Sequence, residues 1–266
     1  MSQVRIGCIG CGQMGSALLR GLAERDDLLF KIFDLDKEKM SALGGVLSER
    51  SMAESAVQAA QWAEIIVLAI KPQQLPALLR QLSGGLNSEQ LLVSIAAGFS
   101  IEQIKKYAAV PVARVMPNTG LLVKRALFGI CFDDQTLSDV QKRRLLDLLA
   151  PLGKTFILPE SMFDPFTAVA GAGPAYVYYL MESLSEAAVS LGFSRIQAAE
   201  MIPELITSAG LIAAGGRHEF TLLREMVESP AGATIAATIH LERQAVRAAF
   251  IDAVQAACRR AGQLSG

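Results

Sequence analysis

Near the start of the chain stands Val4-Arg5-Ile6-Gly7-Cys8-Ile9-Gly10-Cys11-Gly12-Gln13-Met14-Gly15, an apolar run followed at once by glycines in the spacing G-x-G-x-x-G. The run 4–9 predicts a strand and 14–25 a helix, so the glycines fall on a strand–turn–helix corner. There Gly10 permits the tight turn, Gly12 lets backbone approach a pyrophosphate, and Gly15 lets helix and strand pack closely. The free N–H groups of the helix start then face the phosphates. The spacing alone is weak; in this context it predicts dinucleotide binding, with Cys11, Gln13 and Met14 completing the loop. A purely structural glycine turn is the alternative.

Further apolar runs at 28–33, 64–70, 91–97, 110–116, 126–132 and 155–158 alternate with helical stretches such as 75–82. Runs without polar alternation suit parallel strands covered on both faces. Repeated βα units of this kind predict a doubly wound α/β domain over residues 1–158. Residues 159–266 read differently, as Ala-rich helices without a strand. In 175–191, Val177, Leu180, Leu184, Ala188 and Leu191 recur at helical steps opposite Glu182, Ser185 and Glu186, which makes that helix amphipathic.

The second strand ends at Asp34, close to the ~20-residue offset at which an acid meets the adenosine ribose. A carboxylate there repels a 2′-phosphate, by about 4 kcal/mol at ~4 Å and an effective dielectric of ~20. Asp34 therefore argues for NADH over NADPH. The alternative is an outward-turned Asp34 that leaves Lys37 and Lys39 to meet a phosphate. Lys71-Pro72 and Met116-Pro117-Asn118-Thr119 follow strands at the carboxyl edge, where ligands of doubly wound sheets bind. Asn118 could hydrogen-bond a carboxamide or a ribose, or simply favour a turn after proline.

Composition narrows the class. The 266 residues are 52% hydrophobic and 19% charged, with a net charge of −1. That apolar content excludes disorder, and the neutral balance argues against nucleic acid. No apolar run approaches the ~18–20 residues of a membrane-spanning helix, and the first residues show no signal-peptide pattern. A cytoplasmic protein without a membrane partner is expected. Cys8 and Cys11 form a C-x-x-C, but no second Cys or His pair lies near, so no metal site is expected. Cys131 and Cys258 are isolated.

Two motifs open helices of the second part. In Gly171-Ala172-Gly173-Pro174-Ala175, Pro174 suits a first helical position. In Ser229-Pro230-Ala231-Gly232-Ala233-Thr234, a helix start would offer amides to an anion, with two hydroxyls beside it. Plain capping explains either motif equally well.

Taken together, Gly10 to Gly15, Lys71-Pro72, Arg114-x-Met116-Pro117-Asn118-Thr119, the G-x-G-P-A-Y of 171–176 and the S-P-x-G-x-T of 229–234 resemble, in order and spacing, the pyrroline-5-carboxylate reductase family. The resemblance spans essentially the whole chain. It implies a Rossmann domain and an all-helical dimerisation domain, with each active site at a dimer interface and dimers that commonly build decamers. It implies reduction of 1-pyrroline-5-carboxylate to L-proline by NAD(P)H. Carried over, Ser229 and the amides around Gly232 and Ala233 would hold the substrate carboxylate, and Thr234 the ring nitrogen. Lys71, Pro72 and Asn118 would border the nicotinamide, and 171–174 would face cofactor and substrate.

The chain departs from that pattern at Ala172, where serine is frequent, and at Ala231, where the family has a glycine. Gly120 replaces a proline, Glu219-Phe220 stand where His-Pro is frequent, and Pro203 predicts a kink or a displaced helix start. These departures bear on substrate choice and leave three alternatives. One is a reductase of another cyclic imine carboxylate, and another is a non-catalytic NAD(P)-binding regulator. The third, a β-hydroxyacid dehydrogenase, needs an interdomain lysine as acid/base; every lysine here lies at or before Lys154.

Overall fold

The computed structural model describes residues 3–216 and 218–265. Its strands are β1 (Val4–Ile9), β2 (Leu28–Phe33), β3 (Ile65–Leu68), β4 (Leu91–Ser94), β5 (Val112–Met116), β6 (Ala126–Cys131) and β7 (Gly153–Ile157). They form one sheet in the order β2-β1-β3-β4-β5-β6-β7. Helices α1 (Gln13–Leu22), α2 (Lys37–Ser41), α3 (Ala56–Trp62), α4 (Leu75–Leu82), α5 (Ile101–Lys105), α6 (Asp139–Leu149) and α7 (Phe163–Phe166) accompany it.

Successive strand residues feed opposite faces. Ile65, Val67, Leu91 and Val93 join one core with Leu18 and Leu22 of α1 and Leu145 and Leu149 of α6. Ile66, Leu68 and Leu92 join the other with Ala59 and Ala60 of α3 and Leu75 and Leu79 of α4. Coverage on both faces is why these strands read as unbroken apolar runs.

The last two strands correct the parallel expectation. β1 to β5 are parallel, but β6 runs antiparallel to β5, and β7 follows β6. Residues 117–125 join β5 to β6 through a 3₁₀ turn, Thr119–Val123. That is too short for the dozen or so residues of a parallel crossover. Nor is β7 covered on both faces: it is an edge strand, with Phe156 and Ile157 exposed.

The chain divides into two compact units between Ala172 and Gly173, with the stretch from Ala257 belonging to the first. This lies beyond the change of texture at Leu158, because residues 159–172 return to the sheet. Phe163, Ala168 and Ala170 are buried. The Phe166 ring comes within 2.8 Å of the point where a Cβ on Gly129 would stand.

The second unit carries α8 (Gly173–Ser190), α9 (Arg195–Ala214), α10 (Phe220–Glu225), α11 (Ala233–Arg243) and the start of α12 (Val246–Ser265). A capping box of Ser194 and Gln197 starts α9, which contains Pro203 in its interior, so the proline does not displace the helix start. Among the described residues of this unit only Ala188, Ala198 and Ile202 are buried. The apolar stripe over 175–191 is largely bare: Val177 is 41% and Leu180 39% exposed on α8, and Leu191, just past its end, 80%. Among the described residues no helix is long and apolar enough to cross a membrane.

Candidate functional site

The three glycines of the β1–α1 corner have three different environments. Gly10 has φ +104°, and a Cβ there would stand 2.4 Å from the Ala69 carbonyl oxygen, so both conformation and packing demand glycine. A Cβ on Gly15 would lie 2.1 Å from the Gly10 carbonyl oxygen, in the tight seam between helix and strand. A Cβ on Gly12 would meet nothing within 4 Å, and its φ is −66°. The chain itself gives no reason for glycine at this position. It is the N-cap of α1 and brings no capping side chain, so the first-turn amides have no side-chain acceptor there. This cradle, which a Cβ would fill, fits a dinucleotide pyrophosphate. Gln13 is exposed, Met14 half-buried and Cys11 buried.

Asp34 is turned toward that loop. Its Oδ2 accepts the Cys11 N–H at 2.7 Å and its Oδ1 the Asp36 N–H at 2.9 Å. The carboxylate therefore ties the end of β2 to the glycine corner, beside a groove lined by Phe33, Leu35, Lys37, Met40 and Ala53. Lys39 pairs with Asp36 at 3.3 Å. Burial, and then the nearby Asp34 charge, push the Cys11 thiol up to about 12. Burial likewise raises Cys8. Both thiols are buried, and burial disfavours their thiolates.

At the other strand ends, Lys71 is exposed, and its N–H donates to Gln74 Oε1 at 3.3 Å ahead of the short turn Pro72–Gln74. Asn118, by contrast, is committed to the fold. Its Oδ1 accepts the N–H groups of Gly120 (3.2 Å) and Leu127 (3.0 Å), and its Nδ2 donates to the Ala170 carbonyl (3.0 Å). Only one side-chain N–H remains for a cofactor.

Sequence reasoning missed a buried ion pair in the same region. Arg114, with a side chain only 6% exposed, donates from Nη1 to Glu160 Oε1 at 2.8 Å, and its guanidinium lies 4.6 Å from the Phe163 ring centroid. The same carboxylate oxygen accepts the Ile101 N–H at 2.8 Å. An arginine inside Val112-Ala113-Arg114-Val115-Met116 is the signal that could have found it, since a charge in a buried strand requires a counter-ion.

In the second unit, the Ser229 carbonyl accepts the Gly232 N–H at 2.9 Å, closing a turn with Pro230 and Ala231 at its centre. Ala231 takes φ +58°, the left-handed region. Proline followed by a positive φ is the arrangement that favours glycine at the second central position; alanine there costs about 1–2 kcal/mol. A Cβ on Gly232 would lie 2.2 Å from Ser229 Oγ, so glycine is obligatory while that hydroxyl keeps its place. Gly232 is the N-cap of α11 and again brings no cap. Ser229, Ala233 and Thr234 are exposed around it. Helices α2, α3, α5, α6 and α9 are capped by Asp36, Ser55, Ser100, Ser138 and Ser194. Among the described residues, the two helices that start on a bare glycine N-cap, α1 and α11, are those assigned to anions from the sequence.

Residues 160–264 match the family model described as pyrroline-5-carboxylate reductase dimerisation. Residues 5–98 match the model described as NADP oxidoreductase, coenzyme F420-dependent. The chain is 33% identical to pyrroline-5-carboxylate reductase of Escherichia coli, over 98% of both chains. It is also 33% identical to that of Pseudomonas aeruginosa, over 100% of this chain and 98% of the relative. Among solved structures, Plasmodium falciparum pyrroline carboxylate reductase with NADP bound superposes with a TM-score of 0.89 at 28% identity, covering 100% of each chain.

Proposed function

Because the chain belongs to the pyrroline-5-carboxylate reductase family, we propose that it reduces 1-pyrroline-5-carboxylate to L-proline with NAD(P)H. The observation that carries this reading is the pair of uncapped glycine helix starts, one in each unit. Gly10, Cys11, Gly12, Gln13, Met14 and Gly15 would hold the pyrophosphate, Asp34 the adenosine ribose, and Lys71 and Pro72 the nicotinamide side. Asn118, whose side chain is spent on Gly120, Leu127 and Ala170, is left out of this cofactor set. Ser229 and the amides at Gly232 and Ala233 would hold the substrate carboxylate. NAD(P)H, when bound, supplies the hydride.

The chain's own part is orientation. A protonated cyclic imine needs no strong acid, because the nitrogen that receives the π electrons already carries its proton. The neutral Thr234 hydroxyl suffices to fix the ring nitrogen, and the α11 amides fix the carboxylate. Thr234→Ala is expected to lower kcat/KM about tenfold, the worth of roughly one hydrogen bond, with NAD(P)H affinity unchanged. Unaltered kinetics would remove Thr234 from the site.

The test of the function is NAD(P)H oxidation by the pure protein on addition of pyrroline-5-carboxylate. Binding of cofactor without turnover on any imine would instead indicate a regulator. Ala231 favours one second reading. Its Cβ stands in the substrate loop, and a higher kcat/KM on pyrroline-2-carboxylate or a six-membered homologue would make another imine the substrate.

For the cofactor, we place NADH first, because Asp34 directs its carboxylate at the glycine loop and Lys39 is paired. Asp34→Asn retains an acceptor for the Cys11 amide and removes the charge, so the NADPH/NADH ratio of kcat/KM should rise about tenfold or more. An unchanged ratio would mean that the carboxylate does not meet the ribose. The division of labour follows the texture of the sequence, with 1–158 for the cofactor and 159–266 for dimerisation and substrate. A homodimer through the helices, dimers gathered into a decamer, and a cytoplasmic location complete the proposal.

A further inference from the structure

Asn118 lies far from Pro174 in sequence, yet the chemistry of one answers that of the other. Residues Thr167–Gly171 form a π-helical turn, with the Ala172 N–H reaching back to the Thr167 carbonyl at 2.8 Å. Such turns recur at functional sites. Within it the Ala170 carbonyl faces a specific deficit. The residue four positions on, which would donate to it in an ordinary helix, is Pro174, and proline has no N–H. The donor comes instead from Asn118 Nδ2 at 3.0 Å. Asn118 is itself fixed, 9% exposed, with Oδ1 taken by the Gly120 and Leu127 amides.

The residues flanking this carbonyl have no internal reason to be glycine. A Cβ on Gly173 would meet nothing within 4 Å, and one on Gly171 would meet only the Thr167 side chain at 3.5 Å. Neither has a positive φ. Their bareness suits close approach by something other than this chain's own packing.

We propose that Asn118 is a positioning residue. It replaces the N–H that Pro174 lacks, and so holds the turn that ends at Gly171 at the carboxyl edge of the sheet, rather than acting as a cofactor ligand. The kinetic part rests on the reductase reading; the structural part does not.

The test is Asn118→Asp, which keeps acceptors for Gly120 and Leu127 while its carboxylate has no N–H for the Ala170 carbonyl or for anything else. Amide hydrogen exchange across 167–173 is expected to accelerate at least tenfold. The NAD(P)H dissociation constant should stay within about twofold of the parent, and imine kcat should fall about tenfold. Adding Pro174→Ala restores a helical N–H to the Ala170 carbonyl, and should recover most of the exchange protection. It should also recover folded protein if Asn118→Asp alone does not accumulate. Unchanged exchange at 167–173, a tenfold loss of NAD(P)H affinity, or no recovery in the double variant would each overturn the proposal. A parent protein that binds NAD(P)H but reduces no imine would defeat the reductase reading while leaving the exchange and affinity results to judge Asn118.

Discussion

Glu160→Ala is expected to cost about 3 kcal/mol of stability, because it leaves the Arg114 guanidinium buried without a counter-ion. Among the described residues Glu160 is the one ionic partner of Arg114, and Arg114 Nε has no hydrogen-bond partner. The Phe163 ring beneath the guanidinium offsets only part of the loss, about 1–2 kcal/mol at most. The reverse change should be milder. Arg114→Met leaves a Glu160 side chain that is 26% exposed and still accepts the Ile101 N–H. The double variant Arg114→Met/Glu160→Ala should recover part of the loss, since an apolar side chain tolerates the site better than an unpaired charge. For a chain of this size 1 kcal/mol is about 2–4 °C of melting temperature, so Glu160→Ala should melt roughly 6–12 °C lower. Equal melting temperatures for both single variants would show that burial does not set the energetics of this pair.

Gly12→Ala should do the opposite, sparing the fold and removing the ligand. Its φ of −66° is open to any residue, and an added Cβ meets no atom of the chain. The melting temperature is therefore expected to stay within ~1 °C, in keeping with a substitution that creates no strain. That Cβ would stand where backbone amides meet the pyrophosphate. Loss of two charge-assisted hydrogen bonds, about 1.5 kcal/mol each, weakens NAD(P)H roughly a hundredfold by fluorescence titration. Gly15→Ala is the control, because its Cβ collides with the Gly10 carbonyl and should lower stability first. Undiminished affinity in Gly12→Ala would mean that the loop does not cradle a phosphate.

What could be read from the sequence follows what is local. The glycine corner was legible because the positive φ of Gly10 and the packing of Gly15 on the Gly10 carbonyl are local demands, while Gly12 stands at a helix start on which the chain places none. The central strands were legible because residues such as Ile65 and Ile66 feed opposite cores, which leaves no polar position in the run. Direction was not legible for β6, since a strand buried on both faces reads the same whichever way it runs. Its direction is decided by the short connection at 117–125. The bonds of Asn118 were not legible for a related reason: its three partners, Gly120, Leu127 and Ala170, converge only after the sheet has formed. The stripe of α8 was visible as a pattern, but periodicity does not say what covers it. Ala231 was noticed as a departure, and the structure adds why it matters, namely a positive φ that glycine would adopt without cost.

The bare helical unit has a consequence for what the stability of this protein means. With Ala188, Ala198 and Ile202 as its only buried residues among those described, residues 173–256 cannot offset their own chain entropy by internal packing alone. The missing burial must come from association, and association obeys mass action. Folding of these helices and encounter between copies then become a single equilibrium, governed by how much protein is present. For residues 173–256, dilution is then expected to act as a denaturant.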